Sequence, residues 1–519
     1  MSTSDMNGAH GLVHTLLASG VDTCFTNPGT SEMHFVAALD HIPGMRCVLT
    51  LFEGVATGAA DGYFRIAGKP ASTLLHLGPG LANGVANLHN AKKAGSGVVN
   101  IVGEHAPSHI ELDAPLTADI EGIARPVSHW VRTAHSPSEA ASAGAEAVAA
   151  AQIAPGQIAT LVLPSDTAWR EGGHESPALE TPARPPFQTA EREAACAALD
   201  GPDSLLLLGG AALNEDALAM AGQIAAQTGC HLLSEWANAR LDRGAGRVVI
   251  GRVPYPIDIA LKKLAPYKRI VLLGARQPIG FFAYPGKPAV LTDPDAQVIE
   301  LATAGQDLHG ALVALRDQLG ATDTNPAHIA PAQIPDAAQG AITPDTIAVA
   351  LARTMPEDAI VVDESVTTGR AFFPVTAGAP RHTWLNNCGG SIGYGLPVAI
   401  GAAIAAPQRK VLALTGDGSA MYTVQALWTM AREELDVTVV IFANRSYQIL
   451  RGELANMGAG NPGPRAIDML TLDRPNLNFV DMAVSMGVPA EQVSETSELE
   501  RALTQALATP GPRLIEVLC

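Results

Sequence analysis

Apolar residues in this chain follow two alternating rhythms. Short unbroken runs rich in Val, Ile and Leu recur between longer stretches whose apolar positions repeat every three or four residues. The first pattern suits strands buried on both faces; the second suits helices that cover them. In the opening third, runs at 23–26, 47–51, 72–76, 97–103 and 158–163 predict strands. Stretches at 10–19, 31–40, 54–67, 80–94 and 137–151 predict helices, with Gly20 stopping the first and Ser31 capping the second. Such alternation predicts a parallel sheet covered on both faces.

A proline-rich stretch at 177–186 interrupts the rhythm and reads as a linker. The alternation then resumes, with helices at 191–200, 214–227 and 307–318 and strands at 204–208, 269–273, 289–292 and 297–301. A second linker carries Pro326, Pro331 and Pro335. The last segment opens on Thr343-Pro344, a cap followed by proline at the first helical position. It predicts helices at 343–355 and 392–405 and strands at 359–363, 411–415, 437–442 and 513–517. Ser497-x-x-Glu500 reads as a capping box that starts a helix to residue 508. The expected fold class is α/β, with three doubly wound parallel-sheet domains at 1–175, 188–322 and 340–519.

Composition narrows the function classes. With 47% apolar and 16% charged residues, the 519-residue chain has the make-up of compact domains with large cores. A net charge of −18 argues against nucleic-acid or anionic-membrane partners, which require a basic face. The six cysteines are scattered without a CxxC, so neither a zinc site nor a disulfide framework is expected. That usage suits a reducing cytoplasm. The first ten residues lack a basic start and a long apolar run, so no leader is expected, and no segment reads as a membrane span.

Candidate chemistry concentrates at 415–447. The apolar run at 411–415 ends in Gly416-Asp417-Gly418-Ser419, and the run at 437–442 ends in Ala443-Asn444. If the two strands are neighbours, Asp417 and Asn444 meet at the carboxyl edge, where open α/β sheets bind ligands. Their oxygens suit Mg²⁺, while Gly416 and Gly418 let backbone N–H groups approach an anion and Ser419 adds a hydroxyl. The residues thus describe a Mg²⁺-diphosphate cradle. A tight turn with a capping Asp would use the same Gly-Asp-Gly.

Gly-Asp-Gly with Asn444 following resembles the thiamine diphosphate signature, in which Ala443 replaces the first of two asparagines. A second segment, Leu51-Phe52-Glu53-Gly54 leading into VATGAADGYFRIAGKP, resembles the strand–Glu–helix segment of the same enzymes. On these motifs the chain is identified as a member of the thiamine diphosphate-dependent decarboxylase and acetolactate synthase family. The resemblance spans the whole chain and implies pyrimidine, central and diphosphate domains in that order.

The family's roles carry over residue by residue. Glu53 would hydrogen-bond the aminopyrimidine, Asp417, Asn444 and the Ser446 carbonyl would hold Mg²⁺, and Thr367 and Ser419 would contact the diphosphate. Gly390 would offer its carbonyl and Ile392 would wedge beneath the bent cofactor. Pro28 and Asn83 would face it, with Tyr447 closing the motif. His76 matches a proton-shuttling histidine and Thr30 a carboxylate-binding hydroxyl. His105 falls where the family often has Gln. The implied reaction forms a carbanion/enamine from a 2-oxo acid, then protonates it to an aldehyde or adds it to an aldehyde or ketone acceptor. A homodimer or homotetramer is implied, each site joining two chains.

The comparison with family members also shows departures. Phe281 stands where benzoylformate decarboxylase has a second histidine, and Gly452 and Glu453 replace its pocket aromatics. Leu450 stands where pyruvate decarboxylase has a catalytic Glu. Two other readings are a catalytically silent binding subunit and a nucleotide-dependent oxidoreductase, the latter suggested by LGGAAL at 208–213.

Overall fold

The computed structural model describes residues 6–519. Residues 1–5, on which the expectation about a leader partly rests, lie outside the described residues. The chain folds into three α/β units, each built on its own sheet.

The first sheet contains β1 (Thr23–Asn27), β2 (Arg46–Leu49), β3 (Ala71–Leu75), β4 (Val98–Glu104), β5 (Trp130–Thr133) and β6 (Ile158–Pro164). All pairings are parallel, in the order β2-β1-β3-β4-β6-β5. Every residue of β3, β4 and β6 is buried, as expected of strands covered on both faces, and the buried Thr73 and Asn100 bond one another at 2.8 Å. The helix Pro137–Gln152 shows how local signals set the boundaries. Ser136 accepts the N–H of Glu139 at 3.2 Å and Pro137 takes a first-turn position where no N–H is needed.

The second unit carries β7 (Ser204–Leu208), β8 (His231–Ser234), β9 (Arg240–Arg243), β10 (Gly251–Arg252), β11 (Arg269–Leu273) and β12 (Gln297–Ala302). Five of these form a parallel sheet in the order β10-β8-β7-β11-β12. The sixth, β9, leaves it and pairs antiparallel with β14 (His382–Asn386) of the third unit. The remaining strands there are β13 (Ala359–Glu364), β15 (Val411–Gly416), β16 (Val437–Ala443), β17 (Ala490–Val493) and β18 (Arg513–Leu518). The order is β17-β18-β16-β15-β13-β14-β9.

Three expectations are corrected. Residues 289–292 form no strand, only an isolated bridge from Val290 to Ile279, because Pro288 and Pro294 bracket the run. The helix expected from Ile392 begins at Gly395, leaving Ile392 half-buried in the preceding loop. The last helix, Thr496–Ala508, is capped by Glu498, whose carboxylate accepts the N–H of Ser494 at 3.0 Å and of Glu495 at 3.2 Å, not by Ser497 and Glu500. The glycines at 209–210 lead from β7 into a short 3-10 turn. Gly209 donates to the Leu273 carbonyl at 3.0 Å, and a Cβ there would lie 2.7 Å from the Gly274 carbonyl oxygen.

The first and third units share one core through two helices, Glu53–Ala67 and Gly395–Ala405. Ten residues of the second helix are buried, as expected of a helix apolar on all sides. Small residues bring the backbones together: a Cβ on Gly401 would lie 1.9 Å from the Ala59 carbonyl oxygen. Arg65, buried beside Asp61 at 2.7 Å, donates to the Asn386 carbonyl at 2.6 Å and the Ala239 carbonyl at 3.2 Å. One guanidinium thereby touches all three units. Among the described residues, no helix is long and apolar enough to cross a membrane.

Candidate active site

The site residues gather at the carboxyl edges of the first and third sheets. In the third, β15 and β16 are neighbours in parallel register, Gly416 opposite Phe442. The adjacency expected for Asp417 and Asn444 is therefore met. Asp417 is buried; its carboxylate accepts the N–H of Gly418 at 2.7 Å and of Arg445 at 2.6 Å. Burial pushes its carboxyl upward, opposed by those N–H groups and reinforced by Glu516. Asn444 Oδ1 accepts the N–H of Ser446 at 3.0 Å. Arg445, between them, adopts φ of 53°, a left-handed conformation costly for a side chain of that size.

These donors fit a hard cation. Two buried carboxylates, Asp417 and Glu516, face one another's charge, and Glu516 Oε2 has no hydrogen-bond partner. No group of three or more His, Cys, Asp or Glu side chains stands ready for a metal among the described residues. A cation would therefore draw on the Asp carboxylate, the Asn amide oxygen and backbone carbonyls, a set that suits Mg²⁺. Above it, a Cβ on Gly416 would meet nothing within 4 Å, whereas Gly418 lies under the Tyr447 ring, 2.5 Å from such a Cβ. Ser419 is buried nearby, and Thr367 is half-buried after Val366, whose φ is 48°.

The turn 387–395 forms the next part of the site and is pinned from both sides. Asn387 Oδ1 accepts the N–H of Gly389 at 3.1 Å and of Gly390 at 2.9 Å. Asn90 donates to the Ser391 carbonyl at 2.9 Å and accepts its N–H at 3.1 Å. Asn87 donates to the Gly393 carbonyl at 3.3 Å and to the Gly54 carbonyl at 2.8 Å. From the opposite side, Glu364 accepts the N–H groups of Gly393, Tyr394 and Gly395 at 2.7, 3.0 and 2.9 Å. Burial pushes its carboxyl up to about 6 against the pull of those donors and the Thr415 hydroxyl. Gly390, at φ of 78°, is exposed on one side and lies under the Phe281 ring.

At the first sheet, Glu53 is buried at the start of its helix without capping it. Its carboxylate instead accepts from the Asn83 side chain at 3.0 Å. Pro28 and Thr30 follow β1, and His76 follows β3 with its Nδ1 2.8 Å from Glu32 Oε2. His105 follows β4; its N–H donates to Glu104 Oε1 at 2.7 Å. Glu32, Glu364, Asn87, Asn90 and Asn387 escaped sequence reasoning. A carboxylate closing an apolar run, as in AIVVDE, is the signal that would have found Glu364.

Phe281 packs with Trp236, Tyr255 and Phe282 at ring distances of 5.2, 5.6 and 4.7 Å. Beside this wall, the Tyr284 hydroxyl donates to Glu453 at 2.8 Å, tying the second unit to the helix Gln448–Asn456. Glu453 thus faces the second unit.

The model of the thiamine pyrophosphate enzyme N-terminal TPP-binding domain matches residues 6–123, and that of the C-terminal TPP-binding domain matches residues 367–517. The chain belongs to the thiamine pyrophosphate enzyme family. A Mycobacterium tuberculosis protein, provisionally named acetolactate synthase large subunit IlvX, is 49% identical over 99% of each chain. Benzoylformate decarboxylase of Pseudomonas aeruginosa is 30% identical over 96% of each. The structure of a Rhodococcus jostii thiamine diphosphate-dependent 4-hydroxybenzoylformate decarboxylase superposes with a TM-score of 0.85, at 24% identity and 99% coverage of both chains. It shares the three-unit α/β fold of this family member. The two matched segments contain Glu53 and Asp417.

Proposed function

We propose that this thiamine pyrophosphate enzyme holds its cofactor through Mg²⁺ and decarboxylates a 2-oxo acid. The product is either an aldehyde or, with a second carbonyl compound, a 2-hydroxy ketone. The observation that carries this reading is the pair of preformed edges, buried Glu53 on one sheet and the Asp417–Asn444 cradle on another. Bound thiamine diphosphate supplies the electron sink that accepts the electron pair left when CO₂ departs.

The chain's own residues do the rest. Asp417, Asn444 and the Ser446 carbonyl hold the cation, while Gly416, Gly418, Ser419 and Thr367 receive the diphosphate. Glu53, fixed by Asn83, holds the aminopyrimidine, and the pinned turn presents the Gly390 carbonyl and the Ile392 side chain. Thr30 orients the substrate carboxylate, with Pro28 shaping the same turn, and His76 handles a proton at its ring nitrogen. The Phe281 wall and Tyr447 exclude water. Assembly as a homodimer or homotetramer, with sites shared between chains, belongs to the same reading.

The test incubates the protein with thiamine diphosphate, Mg²⁺ and a panel of 2-oxo acids, with and without aldehydes, and identifies products by mass spectrometry. Release of CO₂ with an aldehyde or 2-hydroxy ketone supports the proposal. A chain that holds the cofactor and turns over none of the acids is instead a binding subunit.

A further inference from the structure

Three loop ends of the first sheet converge on one buried carboxylate. Strands β1, β3 and β4 are adjacent, and Glu32, His76 and Gly103 stand at or just beyond their carboxyl ends. Glu32 is 2% exposed, and its one ion-pair partner among the described residues is His76. Its Oε2 accepts the N–H of Gly29 at 2.8 Å and lies 2.8 Å from His76 Nδ1. Its Oε1 is buried with no partner, and a Cβ on Gly103 would lie 1.6 Å from it. The imidazole rests against Gly29, where a Cβ would lie 2.1 Å from Nδ1. Two glycines therefore make room for the pair.

A carboxylate buried this way, with one oxygen unpaired, costs stability, so packing alone does not account for it. The Gly29 N–H can only donate, so Oε2 accepts there. An ionised carboxylate then takes Nδ1–H as its second donor. We infer that Glu32 is a positioning residue that holds His76 in the tautomer with its proton on Nδ1 and turns Nε2 outward. The His76 side chain is 26% exposed, so one part of the ring is open. This inference rests on the reading that His76 serves the reaction. In that role Nε2 first takes a proton from solvent, giving an imidazolium that ionised Glu32 stabilises through Nδ1–H; Nε2–H then gives that proton to the substrate-derived product, and the ring returns to its Nδ1–H tautomer. Of the other titratable groups, His105 after β4 feels the charge of His76, while Glu104, the last residue of β4, and His109 lie against His105.

Neutron diffraction from crystals of the holoenzyme, loaded with thiamine diphosphate and Mg²⁺, reads the proton directly. Hydrogen on His76 Nδ1 facing Glu32 is expected; hydrogen on Glu32 facing a bare Nδ1 overturns the assignment. In parallel, Glu32→Gln should lower kcat about 100-fold with KM held within about threefold. Glu32→Asp should recover part of that loss. Equal losses in the two variants, or Glu32→Gln within about twofold of wild type, overturn the positioning role. If Glu32→Gln does not fold, the neutron map and Glu32→Asp still decide. If no 2-oxo acid is turned over, the proposed function fails while the proton position still tests this pair.

Discussion

The carboxylate of Glu364 accepts the backbone N–H of Gly393 at 2.7 Å, joining the end of β13 to the turn that carries Ile392. With Tyr394, Gly395 and Thr415 it gathers four donors and presents none. An amide in its place would turn an NH₂ toward one of those donors, losing an acceptor and opposing like dipoles. Glu364→Gln should therefore weaken thiamine diphosphate affinity about tenfold, about 1.4 kcal/mol, by fluorescence titration. Unchanged affinity would mean that the turn keeps its shape without this carboxylate.

Glu53 tests a separate step. Its side chain caps nothing and is bonded by Asn83, so Glu53→Gln should fold normally. Cofactor binding should survive, while turnover falls by about two orders of magnitude or more. Activity near wild type would remove Glu53 from the reaction.

Asp417 tests the metal. Asp417→Ala removes the one carboxylate of the proposed cation shell, so Mg²⁺-dependent retention of thiamine diphosphate should be lost. Gel filtration followed by cofactor assay reads this, and equal retention in the variant would rule out the cradle.

Packing between the first and third units supplies a stability prediction. A Cβ at Gly401 would lie 1.9 Å from a backbone oxygen and 2.5 Å from the Tyr63 nitrogen, neither of which can swing aside. Gly401→Ala should cost about 3 kcal/mol in urea unfolding, as overpacked cores do. A loss below about 1 kcal/mol would show that the two helices slide apart easily.

The pH dependence of stability should carry the mark of His382, which opens β14 fully buried with Nδ1 2.7 Å from the Pro380 carbonyl oxygen. Burial first, and Arg243 next, push its imidazole down from 6.5 to about 3. The unfolded chain therefore binds a proton below pH 6.5 that the folded chain refuses, and stability falls as pH drops from there. By pH 5 this should cost about 2 kcal/mol. His382→Asn, compared with wild type by urea unfolding at pH 7 and pH 5, should lack that loss. An equal slope would assign it to other groups.

Much of the fold was legible because buried parallel strands announce themselves as predominantly apolar runs, as β6 and β16 do. Residues that act through strand order were not. Asp417 and Asn444 could be paired in advance because each ends its own apolar run. Glu32 looked like an ordinary polar residue after a turn, and its burial arises only when β1, β3 and β4 lie side by side. Asn87 and Asn90 looked like exposed positions of a helix, yet they reach the turn some 300 residues on. β9 was missed because RLDR carries a single apolar residue; its place is set by the open side of β14, not by its own hydrophobicity.

That strand changes what counts as a separable piece of this enzyme. β9 lies between two linkers that look like clean cutting points, yet it closes the outer rim of the third sheet. Expressed without residues 188–322, the third unit would offer β14 as an open template for another chain's backbone, a recognised route to aggregation. The middle unit thus acts as a built-in guard for the cofactor sheet, and shuffling it between relatives would need to carry that guard along.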